Sequence, residues 1–384
     1  MGRKKKFVQP NISELSIDLL ELIYSNISSC IDMFQFRAVC SSWRLASKNL
    51  KLSPLLKLPS PKSDDKTIFL LSPNNNTIQE FKNVPYKLQE SHVCVGSSHG
   101  WLIVLDKKSK FFLLNLFART QIPLPNCSNI TKAVLSANPS HNKDYIVVSI
   151  HNNSYCLAFF GHGNQEWTEI KDGDYTTNKM YFDVVFSENF LYVLREKGSV
   201  DIWDFHQDCS FPKKHTSIQP SGPTKFTNSK RYYPIELFSD TLYLVLSSDD
   251  ILLVVRHIGE FVTEDGGVIH EGECDSVCSY RTVKFDVYKM DMNREKWLEV
   301  NSLNDHILFL GGNQSFSVLA KDHPGYKANS IYFTDDYWDR INEDYMYGGH
   351  DMGVFSLEDG CVKQFCEIGL QKIEPPPFWV YPDW

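Results

Sequence analysis

The 384-residue chain has no apolar run long enough to cross a membrane as a helix. Its longest stretches, such as Tyr243 to Leu246 and Ile251 to Val255, are strand-sized, so no membrane role is expected. The opening Met-Gly-Arg-Lys-Lys-Lys has no apolar core behind its charges, so no secretory leader is expected. Lys6 stands where N-myristoylation after Gly2 would want a serine or threonine. There is no excess of positive charge: the net charge is −8 and the pI about 5.8, which argues against general nucleic-acid binding. The basic run Arg3 to Lys6 is the exception, and reads either as a nuclear-import signal or as a solvated tail. There is no HExxH, no Gly-x-Ser-x-Gly and no Walker loop. The ten cysteines show no disulfide framework. Several sit in apolar strand patterns, as Cys156 does between Tyr155 and Leu157, and are expected as free thiols in a reducing compartment. Asn-x-Ser/Thr triplets such as Asn26-Ile27-Ser28 then mean only that the chain is rich in Asn and Ser. Between Thr67 and Trp384 no helical stripe of useful length appears.

What is there begins with residues 11–49, the one compact helical stretch. A first helix is expected from Asp18, where Asp18 and Glu21 have capping-box spacing. Leu19, Leu22, Ile23 and Ile27 recur at three and four residues and share a face, widened by Leu20 and Tyr24. The small polar residues from Ser25 to Ser29 end it. A short second helix is expected over Cys30 to Gln35, and a third from Phe36 to about Ser47. In the third, Phe36, Val39, Cys40, Trp43 and Ala46 or Ser47 form one stripe. Three short helices bury little surface alone. Periodicity leaves two readings open: an apolar face kept for another protein, or a cap folded onto the body.

The stretch resembles an F-box, the module that docks substrate receptors onto the Skp-type adaptor of cullin–RING ubiquitin ligases. The resemblance is carried by Leu15, the run Asp18-Leu19-Leu20, Ile23, Ile27 and, most specifically, Phe36-Arg37-Ala38-Val39-Cys40-Ser41-Ser42-Trp43-Arg44. It implies an adaptor-binding set of Leu15, Leu19, Leu20, Ile23, Ile27, Val39, Cys40 and Trp43. One departure is Ser16, where the family carries a proline. Proline fixes φ at a helix start and removes a donor that is orphaned anyway, so its loss is expected to weaken helix entry modestly.

Residues 1–10 read as a basic tail and 50–66, with Pro54, Pro59 and Pro61, as a linker. From Thr67 the texture changes to strand, polar turn, strand. Expected strands include Ile68 to Leu71, Trp101 to Leu105, Phe111 to Leu116, Tyr145 to Ile150, Ser154 to Phe160, Phe190 to Arg195 and Ser199 to Phe205. They continue with Thr241 to Leu246, Ile251 to Arg256, Phe285 to Met290, Ile307 to Leu310, Ser315 to Leu319, Ser330 to Phe333 and Gly353 to Leu357. So many strands exceed a single sandwich, and repeats of roughly 40–50 residues would make about six or seven propeller blades. The tails Gln121-Ile-Pro-Leu-Pro, Trp167-Thr-Glu-Ile and Trp297-Leu-Glu-Val are expected as outer blade strands. A strand near Pro375 to Pro382 is expected to close the ring against early residues, since closure removes sheet edges. WD and kelch signatures fit badly: Trp203-Asp204 is a single WD pair, and the Gly-Gly pairs sit in dissimilar surroundings.

The segments Leu308 to Val318, Lys327 to Asp336 and Asp351 to Gly360 resemble the C-terminal domain of a large plant F-box family, the KIB-type domain (domain of unknown function 295), a β-propeller. His99-Gly100-Trp101, Leu252 to Arg256 and Pro375 to Pro382 are similar to it too. The two resemblances together imply a three-helix all-α F-box followed by a large all-β propeller domain over 67–384.

Candidate chemistry is sparse. Cys274 and Cys278 with His257 and His270 lack a second ligand pair, so the zinc reading gives way to a long acidic loop. The cluster Asp335, Asp336, Asp339, Glu343 and Asp344 lacks the order of a calcium loop and reads as a solvated turn. Its aromatics Tyr337, Trp338, Tyr345 and Tyr347, with Met346, make it a candidate contact surface, the alternative being packing between blades. No metal or cofactor is therefore expected. The resemblance implies a non-catalytic subunit that binds a Skp-type adaptor and, through it, cullin and RING subunits, in the nucleus or cytoplasm, with an unknown protein substrate on the propeller. The alternatives are a propeller enzyme with a helical prefix, such as a glycan hydrolase or oxidase, and an F-box scaffold outside the ligase.

Overall fold

The computed structural model describes residues 15–27, 29–48, 52–59, 67–82, 92–106, 110–127, 129–151, 155–161, 163–171, 180–206, 211–220, 234–248, 250–264, 266–269, 280–338, 341, 348–364 and 372–382. The chain divides into two compact units, Met1–Leu52 and Ser53–Trp384. The basic run Arg3 to Lys6 lies outside the described residues.

Among the described residues the first unit holds three helices: α1 (Ile17–Ser25), α2 (Cys30–Val39) and α3 (Ser41–Ala46). Ser16 is the N-cap of α1, and its side chain makes no capping bond. The expected Asp18–Glu21 capping box is therefore not the helix start; Asp18 lies inside the first turn, where its charge favours the helix dipole. Ser29 caps α2 by accepting the Asp32 amide at 3.3 Å, the role small hydroxyls fill best. The break expected between Gln35 and Phe36 falls a turn later, at Cys40, which is extended at φ −164° and ψ 177°. Nothing between Gln35 and Phe36 stops a helix, whereas Cys40 ends α2 and accepts the Arg44 amide to start α3, at 3.0 Å. The stripe read as one helix is thus split between two. Leu20, Tyr24, Phe36 and Ala46 form the core, with Leu15, Ile27, Met33 and Trp43 packed against it. Phe36 meets Trp43 at 4.3 Å between ring centroids and Tyr24 at 5.1 Å.

The second unit is a six-bladed propeller among the described residues. Blade 1 contains β1 (Leu55–Leu58), β2 (Ile68–Ser72) and β3 (Thr77–Phe81); blade 2 contains β4 (His92–Ser98), β5 (Trp101–Asp106), β6 (Phe111–Asn115) and β7 (Thr120–Leu124). Blade 3 is β8 (Ile130–Leu135), β9 (Ile146–His151), β10 (Cys156–Gly161) and β11 (Thr168–Glu169); blade 4 is β12 (Tyr181–Ser187), β13 (Phe190–Arg195), β14 (Val200–Asp204) and β15 (Lys213–Ile218). Blade 5 is β16 (Phe238–Ser247), β17 (Asp250–Glu260), β18 (Tyr280–Asp291) and β19 (Lys296–Glu299). Blade 6 has five strands: β20 (His306–Leu310), β21 (Phe316–Leu319), β22 (Ser330–Phe333), β23 (Gly353–Ser356) and β24 (Cys361–Lys363). The last strand, β25 (Phe378–Val380), joins blade 1 as its innermost strand, pairing Leu55 with Val380 and Lys57 with Phe378.

Ring closure by a late strand is as the sequence led one to expect. So are the outer positions of β7, β11 and β19, which carry the Gln121, Trp167 and Trp297 tails. The region expected as a linker differs: it carries β1, paired on both sides. Its leucines explain this, since Leu56 and Leu58 pack with Phe309 and Trp379 between blades 6 and 1. Blade 6 departs from simple hairpin order. β20 is paired antiparallel to β21 and parallel to β22, so β21 is innermost. Between blades lie apolar layers, for example Val134, Val148, Val184 and Val193 between blades 3 and 4, and Val254, Phe285, Leu308 and Phe333 between blades 5 and 6. Each such side chain, fully buried, contributes about 1.5–3 kcal/mol before entropy is set against it.

Candidate functional site: an apolar helical face and a buried charge cluster

The helical module completes a small core and still leaves hydrocarbon outside. Leu19 is 49% exposed, Leu22 60%, Ile23 42%, Val39 55%, Leu45 55% and Ile17 45%. Six large apolar side chains are thus exposed on three short helices, an unusual share for so small a module. The expected adaptor-binding residues fall into three groups. Leu19, Ile23 and Val39 are exposed; Leu15, Ile27, Cys40 and Trp43 are half-buried, three of them against the module's own core. Leu20, at 0% exposure, is inside that core, so its part is to hold the helices together. Ile17, Leu22 and Leu45 were not in the expected set. Leu22 was within reach of sequence reasoning, since it shares the three-and-four spacing of Leu19 and Ile23.

The propeller shows the opposite pattern. Arg256, on β17, is fully buried and is held from four segments: β16, β18, residues 334–336 and Asp351. Its guanidinium donates to the Asp336 carboxylate and the Thr334 carbonyl at 2.9 Å, to the Tyr243 hydroxyl at 3.0 Å, and to the carboxylate and carbonyl of Asp351 at 2.9 Å. Thr282 Oγ1 accepts from its Nε at 2.7 Å and itself donates to Asp351 at 2.7 Å. Burial disfavours the charge, but Tyr243, Asp351 and Asp336 outweigh it and keep Arg256 protonated. Asp335, also buried, accepts from the Tyr280 hydroxyl at 2.7 Å and the Gly349 amide at 3.0 Å. Burial, and next the charge of Asp351, push its carboxyl up to about 7, against the pull of Arg256.

The turn expected to be solvated is therefore buried: Asp335 is 1% exposed and Asp336 is tied to a buried arginine. The physical reason is a partner distant in sequence, Arg256, which reads in the chain only as the polar end of an apolar strand. Tyr337 and Trp338 are half-buried and pack with Ile258, Tyr280 and Ile341. Asp339, Glu343, Asp344, Tyr345, Met346 and Tyr347 lie outside the described residues.

The other face of blade 5 carries a second charged cluster. His257 is held between Asp240 at 2.7 Å and Asp286 at 2.9 Å, and Asp286 also bonds Lys284. Burial works against the imidazolium, yet the two carboxylates raise His257 to about 9. Burial likewise opposes the Asp286 charge, and the bonds from His257 and Lys284 lower it to about 2. His257 is thus engaged within blade 5; Cys274, Cys278 and His270, its companions in the zinc reading, are outside the described residues. Among the described residues no group of three or more His, Cys, Asp or Glu is placed to hold a metal ion. No helix among them is long and apolar enough to cross a membrane.

The comparisons with known proteins follow this division. Residues 70–356 match the KIB1-4 beta-propeller model. The chain belongs to the KIB1-4 β-propeller family. It is an F-box protein with a KIB1-4-type propeller, similar to plant F-box/kelch proteins. The F-box/kelch-repeat protein KIB1 of Arabidopsis thaliana is 29% identical over 360 residues, covering 89% of this chain and 82% of that protein. The F-box protein SKIP23 of the same plant is 25% identical over 428 residues, covering 97% and 95%. Among solved structures, the β-propeller domain of Myceliophteria thermophila Cps50 (Swd1) is similar at a TM-score of 0.33 and 11% identity, covering 80% of this chain and 82% of that one. An F-box joined to such a propeller is the architecture typical of substrate-recognition subunits of SCF-type ubiquitin ligases, and proteins of this kind are typically non-catalytic adaptors.

Proposed function

We propose that this KIB1-4 family chain is the substrate-recognition subunit of an SCF-type ubiquitin ligase. Its helical module binds a Skp-type adaptor, and through it cullin and RING subunits; its propeller recruits a protein substrate. The observation that carries this reading is the exposed apolar set on a module whose own core is already filled. In an α-helical partner's groove that set would be covered in the helix-in-groove manner. Leu19, Ile23 and Val39 are the contacts we assign first, with Leu22, Ile17 and Leu45 beside them, and Leu15, Ile27, Cys40 and Trp43 contributing from the margin. The chain itself makes and breaks no bonds. It raises the local concentration of a bound substrate beside the charged ubiquitin-conjugating enzyme, an effective-concentration effect. A nuclear or cytoplasmic site of action follows from where such ligases can meet soluble substrates.

The test is co-purification of the full chain with a Skp-type adaptor and the cullin. The wild type is expected to form a stable binary complex that the cullin joins. Leu19→Asp and Val39→Asp should abolish capture while leaving the propeller folded. Undiminished binding by the double variant would remove this face from the account.

A further inference from the structure

Only residues 311–315 lie between β20 and β21 of blade 6, yet they touch four other blades. The Gln314 amide donates to the Ser97 carbonyl, on β4 of blade 2, at 3.0 Å. The Lys132 ammonium, on β8 of blade 3, donates to the Gly311 carbonyl at 3.4 Å. The Ser315 hydroxyl donates to Asp183, on β12 of blade 4, at 2.9 Å. From blade 1 the Phe378 ring lies against Gly312, where a Cβ would stand 2.5 Å from the ring's Cζ. Blade 5 is tied in at second hand: its Leu244 amide donates to the same Asp183 oxygen at 2.9 Å.

The innermost strands neighbour one another round the ring in the order of the blades. Blade 3 therefore stands opposite blade 6, and blades 2 and 4 are not its neighbours. A segment of blade 6 that bonds all three reaches over the ring's axis. It is buried there, Asn313 at 0% exposure and Ser315 at 1%. Its glycines fit so tight a place. Gly311 has φ +145°, and a Cβ on it would stand 2.0 Å from Thr334 Oγ1, so only glycine fits between the segment and β22. The groups it bonds are themselves fixed, since Lys132 and Asp183 pair at 2.7 Å. A buried polar network whose members are paired in this way holds one geometry.

We propose that residues 311–315 are an axial clasp, which fills the propeller's centre and holds shut the seam where β25 pairs with β1. That seam joins strands from opposite ends of the propeller's sequence, so the closed ring depends on it. The clasp reaches the seam twice. Gly312 backs the Phe378 ring, and the carbonyl of Leu310, immediately before the clasp, accepts from Trp379 Nε1 at 3.2 Å. Phe378 pairs with Lys57 and Trp379 with Leu56 across the seam. A shift of the clasp is thus passed directly to the backbone that closes the ring.

The test is amide hydrogen exchange of the full chain, read peptide by peptide, for the wild type, Gly312→Ala, Ser315→Ala and Val193→Ala. Gly312→Ala forces Phe378 aside. Ser315→Ala removes the bond from the clasp to Asp183. Val193→Ala trims the layer between blades 3 and 4, not the seam. In Gly312→Ala, peptides carrying β1 and β25 should exchange about tenfold faster, measured against the β13–β14 hairpin of the same molecule. Ser315→Ala should move the same peptides in the same direction by less. Val193→Ala should speed β13–β14 more than the seam. If Gly312→Ala yields no folded chain, Ser315→Ala decides by the same comparison. Seam protection equal to wild type in the folded clasp variants would overturn the proposal. So would a loss of protection spread evenly over all six blades, which is a fall in general stability and not the opening of a seam.

Discussion

The helical module and the propeller handle mismatched residues in opposite ways. The module leaves Leu19, Leu22, Ile23, Val39 and Leu45 in solvent. The propeller takes Arg256, His257, Asp335 and Asp351 out of it. Exposed hydrocarbon costs little until a partner covers it, and under the function proposed above the module's exposed side chains await one. Buried charge is tolerated only when fully paired, so the propeller's charges serve its own architecture, fixing the 334–336 and 349–351 segments to blade 5. The contrast teaches that unusual residues alone do not mark a binding site. Whether they are already satisfied does.

The largest test of that contrast removes one member of the satisfied set. Arg256→Met leaves the buried Asp351 carboxylate and the largely buried Asp336 carboxylate without their cation and should cost roughly 3–5 kcal/mol of propeller stability. Chemical denaturation of the full chain measures it, and adaptor capture by the folded fraction should be unchanged. The counterpart in the module is Leu20→Ala, expected to cost about 2–5 kcal/mol. In so small a core that is enough to unfold the helices and lose the adaptor, without shifting the propeller's transition.

A pH titration comes next. His257 titrates near its usual 6.5 when unfolded and at about 9 when folded. Its contribution is therefore fully present below pH 6.5 and lost as pH rises through 9, a loss on the order of 3 kcal/mol at most. Asp286, lowered to about 2, contributes in the opposite sense: its share is present above pH 4 and lost as pH falls toward 2. Asp240→Asn should flatten the alkaline limb. A propeller equally stable at pH 6.5 and pH 9 would contradict the His257–carboxylate cluster.

The third test targets the unsatisfied face. Val39→Asp should change module stability by no more than about 0.5 kcal/mol, as for an exposed site, yet weaken adaptor binding by about 2 kcal/mol or more if Val39 sits at the centre of the interface. Circular dichroism and a binding isotherm separate the two. A variant that unfolds before it stops binding would place Val39 with Leu20 and erase the distinction between the regions.

Much of the fold was legible in the chain. Hairpins such as β13–β14 announce themselves by apolar runs around a polar turn, and the Trp167 and Trp297 tails mark outer strands. Three of the innermost strands, β4, β8 and β12, were not legible. They carry Ser97, Ser98, Lys132 and Asp183, buried polar residues whose partners come from other blades, so they neither alternate nor form apolar runs. The parallel pairing of β20 with β22 leaves no local trace either, because the intervening strand reads as an ordinary hairpin partner. In the module, periodicity found the apolar residues but not their direction. Phe36 and Val39 fall in one three-and-four stripe, yet Phe36 is buried and Val39 is exposed, because the helix break at Cys40 separates Val39 from Trp43. For the same reason the propeller's charged core was missed: Arg256 and Asp336 are 80 residues apart, and only the folded chain introduces them.

The smallest expected effect closes the comparison from the propeller's outside. Lys289 and Asp250 form an ion pair at 2.7 Å between β17 and β18, with side chains 48% and 41% exposed. The geometry is as short as that of Arg256 with Asp351, at 2.9 Å, so distance alone would rank the two pairs together. Solvent decides otherwise. At half exposure, water and salt screen the attraction, and holding two long side chains in one geometry offsets part of the gain, leaving about 0–1 kcal/mol. Lys289→Ala should therefore lower stability by less than about 1 kcal/mol, and that small loss should vanish at high salt. The Arg256→Met loss should persist there, because the Asp336 and Asp351 carboxylates are only 10% and 6% exposed and counter-ions screen them little. Equal losses for the two variants would mean that burial is not what makes the propeller's inner charges matter.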